Sequence, residues 1–340
     1  PRPAALVQSW ITPESQFYIR TNGNVPEISA DSYRLRIQGL VERPLELSLA
    51  QLREDFPRVD LLATLQCAGN RRTEMAAEKA IEGTPWGSTA LGNANWTGVR
   101  LADVLKAAGM SPEASHVWLT GRDSCEVKGE MLNFGGTLPL DKALRPETIL
   151  AYAMNGEPLT PIHGAPLRAL IPGFIGARSV KWLDTIEVAD RPSENYFVAK
   201  SYKIFPPEVD SKNVDWNAQP PLYELPLNAA ISTPAAGTQL SGGIARVEGW
   251  AFAGGLPQAQ LARVEVSTDE GATWQEAAFT SPEAPFCWRL WRAEVRLSSA
   301  TSSLLARATN TDGAQQPKDA PWNFKGYHHN AWHRVPVQVI

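Results

Sequence analysis

A cysteine closes a hydrophobic run in the segment Thr64-Leu-Gln-Cys-Ala-Gly-Asn-Arg-Arg72. Val59, Leu61, Leu62, Ala63 and Leu65 read as a strand that ends at Cys67, followed by a small-residue turn (Ala68, Gly69, Asn70) and two arginines. Neighbouring cations lower a thiol pKa and favour the thiolate. A thiolate is a soft ligand suited to redox metals, and guanidinium forks grip oxyanions. The same residues admit a plainer role, because a lone Cys after a strand is commonly a small buried hydrophobe.

The elements that must hold this segment are legible in part. Tyr33, Leu35 and Ile37 alternate with Arg34, Arg36 and Gln38, as in a half-buried strand ending at Gly39. Ser48 can cap a short helix through Leu52. Leu101–Ala108 has helical spacing, with Gly109 as its C-terminal cap. Val117–Leu119 reads as a strand that Gly121-Arg122-Asp123 leaves, and Leu167–Ile171 as another apolar strand. Strands mixed unevenly with helices predict an α+β domain. Residues 204–228 are punctuated by Pro206, Pro207, Pro220, Pro221 and Pro226, which suits a linker or meandering connection. Beyond it, Ala245–Trp250, Arg263–Ser267 and Leu304–Thr309 alternate with period two. Turn signals at Asp269-Glu-Gly271 and Asp312-Gly313 separate them, which predicts a β-sandwich.

A chain of 340 residues suits two domains. With 43% hydrophobic and 20% charged residues it reads as globular, and no run of 18 apolar residues suggests a membrane span. A formal charge of -4 argues against a general nucleic-acid partner and requires that any anion site be a local basic cluster. The three cysteines, Cys67, Cys125 and Cys287, form no disulfide framework and no zinc motif. Most of the 12 tryptophans are expected as core or interface anchors. The chain starts at Pro1 with no visible signal peptide, and Val337-Gln-Val-Ile340 is no peroxisomal address, so the compartment, cytoplasmic or periplasmic, stays open.

Cys67-Ala-Gly-Asn-Arg-Arg72 resembles the molybdenum-ligating segment of the sulfite oxidase family, which includes eukaryotic nitrate reductase. Phe17-Tyr-Ile-Arg20, Asn155-Gly156, His163-Gly164 with Pro166 and Arg168, Gly176-Ala-Arg-Ser-Val-Lys-Trp182 and Ala331-Trp-His-Arg334 resemble further segments of that family in the same order. The likeness covers almost the whole chain, and it is this collinearity that makes it specific. It implies a mixed α/β molybdopterin-binding domain at 1–225 and an immunoglobulin-like domain at 226–340 that makes most of a homodimer contact. No haem domain is expected in the chain, which resembles the simpler plant and bacterial form.

The resemblance also implies a site. Cys67 becomes the one protein ligand to molybdenum, with other sulfurs from a pterin dithiolene. Arg20 and Arg72 face a substrate oxyanion; without the likeness they would read as surface ion pairs. Trp86, in Gly83-Thr-Pro-Trp86, walls the pocket with its indole N–H. Tyr202 matches the tyrosine of sulfite oxidases, where nitrate reductases usually carry asparagine. Lys325 departs from the family: sulfite oxidases typically have arginine there and nitrate reductases methionine. Lysine keeps the charge and loses the fork. Tyr18, Arg20, Asp123, His163, Arg168, Ser179, Val180 and Lys181 are expected to hold the pterin and its phosphate. Ile162 stands where the family usually has aspartate, at the loss of one polar contact. His328, His329 and His333 are expected to be structural.

The expected activity is oxidation of sulfite to sulfate, with electrons passed to an external cytochrome or oxygen. Nitrate reduction on the same scaffold is the nearest alternative, with Tyr202 and Lys325 against it. A sulfoxide-reducing relative would lack the C-terminal β-domain. A non-enzymatic β-sandwich binding protein would purify without molybdenum.

Overall fold

The computed structural model describes residues 2–340. Its first sheet runs in the order Leu45–Ser48, Arg34–Gly39, Leu183–Ala189, His116–Val127, Glu130–Pro139. Arg34–Gly39 and Leu183–Ala189 pair in parallel and the other neighbours antiparallel. Tyr33, Leu35 and Ile37 are buried, as their alternation requires. Ser48 caps the helix Leu49–Asp55 in a full capping box with Gln51. The helix Leu101–Ala108 buries Leu101, Val104, Leu105 and Ala108 and ends on left-handed Gly109.

One strand differs from its sequence reading. His116–Val127 does not end at Leu119; it runs on through Gly121, Arg122 and Asp123, with a register shift between Thr120 and Ser124. Val117, Leu119, Gly121, Asp123 and Cys125 all face inward. A charged residue inside a strand looked like an exit, whereas the irregularity re-aims an inward carboxylate, a common use of such bulges beside sites.

The second sheet is antiparallel, ordered Arg58–Gln66, Leu91–Arg100, Ile149–Met154, Glu157–Pro158, with Arg168–Leu170 also on Ile149–Met154. Residues 204–227 contain no helix or strand. They are nevertheless tied down: the Lys203 ammonium donates to the Trp216 carbonyl at 2.6 Å, and Leu225 N–H to Gly173 at 2.9 Å.

The later strands form two sheets face to face. One is Asn228–Thr233, Gly243–Phe252, Arg289–Leu297, Ala278–Phe279; the other is Thr238–Leu240, His333–Val339, Ser303–Asn310, Leu261–Ser267, Gln275–Glu276. Val247, Val264, Val295, Leu304 and Val335 fill the space between them. This is a β-sandwich on an α+β unit. The two share a core, because Trp250, Phe252, Trp288 and Leu290 pack with Leu91, Leu167 and Phe174. Five of the tryptophans (Trp96, Trp182, Trp250, Trp288, Trp291) are among the largest fully buried side chains. No described helix is long and apolar enough to cross a membrane.

Candidate active site

Cys67 leaves the end of strand Arg58–Gln66 with its N–H bonded to Ala90 (2.9 Å), and the Asn70 N–H returns to its carbonyl at 3.0 Å. The Asn70 side chain accepts from Ala90 N–H at 3.0 Å and pins the turn. Arg71 takes a left-handed φ of 67°, which turns the chain into the helix Arg72–Ala76. The Arg72 side chain then lies between two glycines. A Cβ at Gly69 would meet its Nη2 at 2.4 Å, and one at Gly326 its Cγ at 2.6 Å. Small residues here are therefore a condition for seating the guanidinium. Arg72 donates through Nε to the Lys325 carbonyl (3.1 Å) and through Nη1 to Thr84 (2.8 Å).

Cys67 opens on a pocket lined also by Tyr18, Arg20, Asp123, His163, Arg168, Ser179, Val180, Lys181 and Tyr202. These expected residues, scattered between positions 18 and 202, are brought together by the two sheets. The pocket is open-mouthed, and its enclosed part holds about 70 Å³. Ile162 lines it too, so the aspartate-to-isoleucine departure puts an apolar surface there.

The cysteine itself departs from expectation. Burial raises its pKa, and the Gly69 N–H, Arg72 and Arg20 pull against that without winning. Cations alone thus leave Cys67 a thiol; a bound metal would deprotonate it outright. Among the described residues no three His, Cys, Asp or Glu side chains form a metal cage. Cys67 offers a single soft donor, and a metal held by it must bring its other ligands along.

Opposite lies a cationic cradle. Arg168 is buried and donates to the carbonyls of His163 (2.9 Å) and Ser179 (3.1 Å). Lys181 donates to the Ile162 carbonyl at 3.0 Å. Among the described residues neither cation has a carboxylate within 4.0 Å. Burial holds the Arg168 pKa down to about 10, and burial plus Arg168 bring Lys181 to about 7. Burial also keeps His163 below its usual range. Buried cations that no carboxylate pairs closely are costly; an anion such as a phosphate would relieve Arg168 and Lys181, and the neutral His163 ring can donate an N–H to it. Asp123 is buried, with its carboxyl raised by burial; it accepts from Cys125 Sγ (3.4 Å) and Phe134 N–H (3.4 Å). The Ser179 hydroxyl accepts from Ile171 N–H at 3.0 Å. One soft thiol in a pocket that Arg168, Lys181 and His163 also line fits a metal carried by a phosphorylated organic cofactor.

Arg72, Trp86 and Lys325 flank this pocket rather than line it. Trp86 Nε1 is buried without a partner, and its ring stands edge-on to Tyr18 at 6.4 Å. The Lys325 ammonium lies over Trp216 (5.1 Å) and Phe324 (5.2 Å). Two neighbours escaped the sequence reading. Asn22 accepts from Arg20 Nη2 at 2.7 Å and is in polar contact with the Tyr202 hydroxyl. Tyr327 stacks on Tyr202. Asn22 stands two residues from Arg20 and Tyr327 two from Lys325, the only sequence signal available for either. The histidines behave as structural groups: His329 and His333 each place Nε2 3.6 Å from Glu74, and His328 N–H bonds Ala68 at 2.9 Å. Arg71, Trp182, Tyr202 and His328, all around the site, hold positive φ, a conformation that bulky residues keep only where the surroundings impose it.

Known proteins agree with this geometry. Residues 22–197 match the model of the oxidoreductase molybdopterin binding domain, and residues 219–340 that of the Mo-co oxidoreductase dimerisation domain. The chain is 39% identical to mitochondrial sulfite oxidase of Rattus norvegicus, over 100% of this chain and 64% of the relative. It is 36% identical to sulfite oxidase of Arabidopsis thaliana, over 100% of this chain and 91% of the relative. It is 35% identical to NADPH nitrate reductase of Emericella nidulans, over 99% of this chain and 42% of the relative. The chain thus spans just under two thirds of the rat protein's length. Among solved structures, the sulfane dehydrogenase SoxCD of Paracoccus pantotrophus superposes with a TM-score of 0.82 at 25% identity, covering 99% of this chain and 86% of that one. Matched along both of its parts, with a lone thiol facing an anion cradle, the chain belongs to the sulfite oxidase family of molybdopterin oxidoreductases.

Proposed function

We propose that the protein oxidises sulfite to sulfate and passes the electrons to an external acceptor, a cytochrome or oxygen. The observation that carries this reading is the meeting of Cys67, Arg20 and Tyr202 in the pocket that the His163–Arg168–Lys181 cradle also lines. When bound there, a molybdenum–pterin cofactor supplies two-electron oxygen-atom transfer. Cys67 would be the protein's ligand to the metal. Arg168 and Lys181 would offset the charge of the cofactor phosphate and His163 would hydrogen-bond to it, with Ser179 and Val180 beside them, and Asp123 and Tyr18 would border the pterin.

The chain's own task is to bind and orient the anion. Arg20 and Arg72 supply guanidinium donors, and Lys325, whose backbone carbonyl accepts from Arg72, adds positive charge beside them. Burial raises the Tyr202 phenol, so it stays protonated at neutral pH and donates a hydrogen bond to an oxyanion. Trp86 contributes its free indole N–H. We further propose a catalytic unit at 1–225 and a sandwich unit at 226–340 that pairs two copies, supported by the apolar cluster between the two sandwich sheets and the dimerisation-domain match.

The test is sulfite-dependent reduction of ferricyanide, scaled to molybdenum content, with nitrate reduction by a reduced dye measured alongside. Fast sulfite turnover, abolished in Cys67→Ala, is the expected result. A molybdenum-loaded protein that ignores sulfite would overturn the reading, and one that reduced nitrate would favour the alternative that the nitrate reductase likeness keeps in view.

A further inference from the structure

Tyr327 is buried, and its ring stacks on that of Tyr202 with centroids 5.4 Å apart and planes 13° from parallel. The Arg72 guanidinium carbon stands 5.4 Å from the same ring centroid. One side chain thus touches both groups assigned above to the oxyanion. It is itself held fast. Tyr327 N–H donates to Asn323 Oδ1 (3.1 Å), and Asn323 Nδ2 donates back to the Tyr327 carbonyl (2.9 Å). The next residue, His328, ties its N–H to Ala68 in the Cys67 turn at 2.9 Å.

Tyr202 needs such a wall. Its φ of 39° lies where bulky side chains are outliers, and such a backbone persists only when neighbours over-determine it. Leu222 N–H fixes its carbonyl at 2.8 Å, and Asn22 meets its hydroxyl. Phe134 stands edge-on to its ring at 6.4 Å and the Arg178 guanidinium lies 5.8 Å from the ring centroid, while Tyr327 is the ring that stacks on it. Arg72 depends on the same segment, through the Lys325 carbonyl (3.1 Å) and the close approach of Gly326.

We propose that Tyr327 is a positioning residue of the substrate site, whose ring sets Tyr202 and Arg72 in a single oxyanion-reading array. The proposal rests on the sulfite reading above. It locates part of the site's selectivity in the sandwich-bearing half of the chain, one aromatic layer behind the groups that meet the anion.

The test compares wild type with Tyr327→Met, which fills similar space without a stacking face, and Tyr327→Phe, which keeps the ring. Sulfite KM and kcat are measured per molybdenum, and sulfate affinity is measured by inhibition and by calorimetric titration. In Tyr327→Met the KM and the sulfate dissociation constant should both rise at least tenfold while kcat falls less than threefold. Tyr327→Phe should recover most of that loss. If Tyr327→Met does not purify with molybdenum, Tyr327→Leu is read against the same thresholds. A KM and sulfate affinity within twofold of wild type at equal molybdenum content would overturn the proposal. So would equal losses in the Met and Phe variants. Should wild type ignore sulfite altogether, the sulfite reading fails, and the sulfate titrations still decide the role of Tyr327.

Discussion

At the residue scale the site is governed by buried cations that backbone carbonyls hold and no carboxylate pairs closely. Arg168 is buried on backbone carbonyls, and nearby Lys181 titrates near 7 because burial and Arg168 disfavour its charge. Removing a buried cation that no carboxylate pairs relieves its desolvation cost, which offsets the loss of its two bonds to backbone carbonyls. Arg168→Met should therefore lose at least tenfold in molybdenum content, read by metal analysis, while the melting temperature of its cofactor-free form stays level or rises. A structural arginine would behave oppositely, destabilising the protein at unchanged molybdenum content. Cys67, Arg168 and Lys181 were legible because each sits in a short motif with its neighbours. The position of the Lys325 ammonium was not, because its aromatic partner Trp216 lies 109 residues earlier in the chain, in a segment without regular structure.

At the element scale, the turn that carries Cys67 is held from the sandwich side. Arg71 grips Glu74 with two bonds (2.8 and 2.6 Å) and donates to Asn228 at 2.7 Å. Burial pushes the Glu74 carboxyl up, yet Arg71 and His333, with hydrogen bonds from Arg71 and His329, hold it well below the usual carboxylate range. The helix Arg72–Ala76 is thereby clasped to strands Asn228–Thr233 and His333–Val339. Removing one partner of a buried pair costs about 3–5 kcal/mol. Since 29% of the Glu74 side chain is exposed, Glu74→Gln should cost roughly 1–3 kcal/mol after solvent screening, measured by thermal or urea unfolding. An unchanged midpoint would mean that the clasp contributes nothing. The period-two and helical stretches announced their own elements, since burial of one face is a local pattern. The strand His116–Val127 was cut short because its inward carboxylate at Asp123 breaks that pattern for the sake of the site.

For the whole molecule, buried histidines make stability depend on pH. His328 and His333 are each held at about 4 by burial, against an ordinary 6.5. Between those values the unfolded chain takes up protons that the folded chain refuses, so stability falls as pH drops through that window. Glu74, with its lowered pKa, adds a loss in the same direction only below its ordinary 4.5. The melting temperature should decline by several degrees from pH 7 to 4.5, and His328→Asn, which tolerates the positive φ at that position, should flatten the decline. A flat wild-type profile over that range would refute it.

The sequence by itself determined the family and the α+β unit followed by a β-sandwich, and it marked Cys67, His163, Arg168 and Lys181, which line one pocket, because these rest on local periodicity and on contiguous motifs. Only the tertiary structure decided that Cys67 is kept a thiol by burial, that Asp123 points inward, and that Tyr327 and the histidines reach back to the Cys67 turn. Each depends on which distant segments exclude water from a group or lie against it, and desolvation and packing are properties of the assembled fold rather than of any stretch of chain.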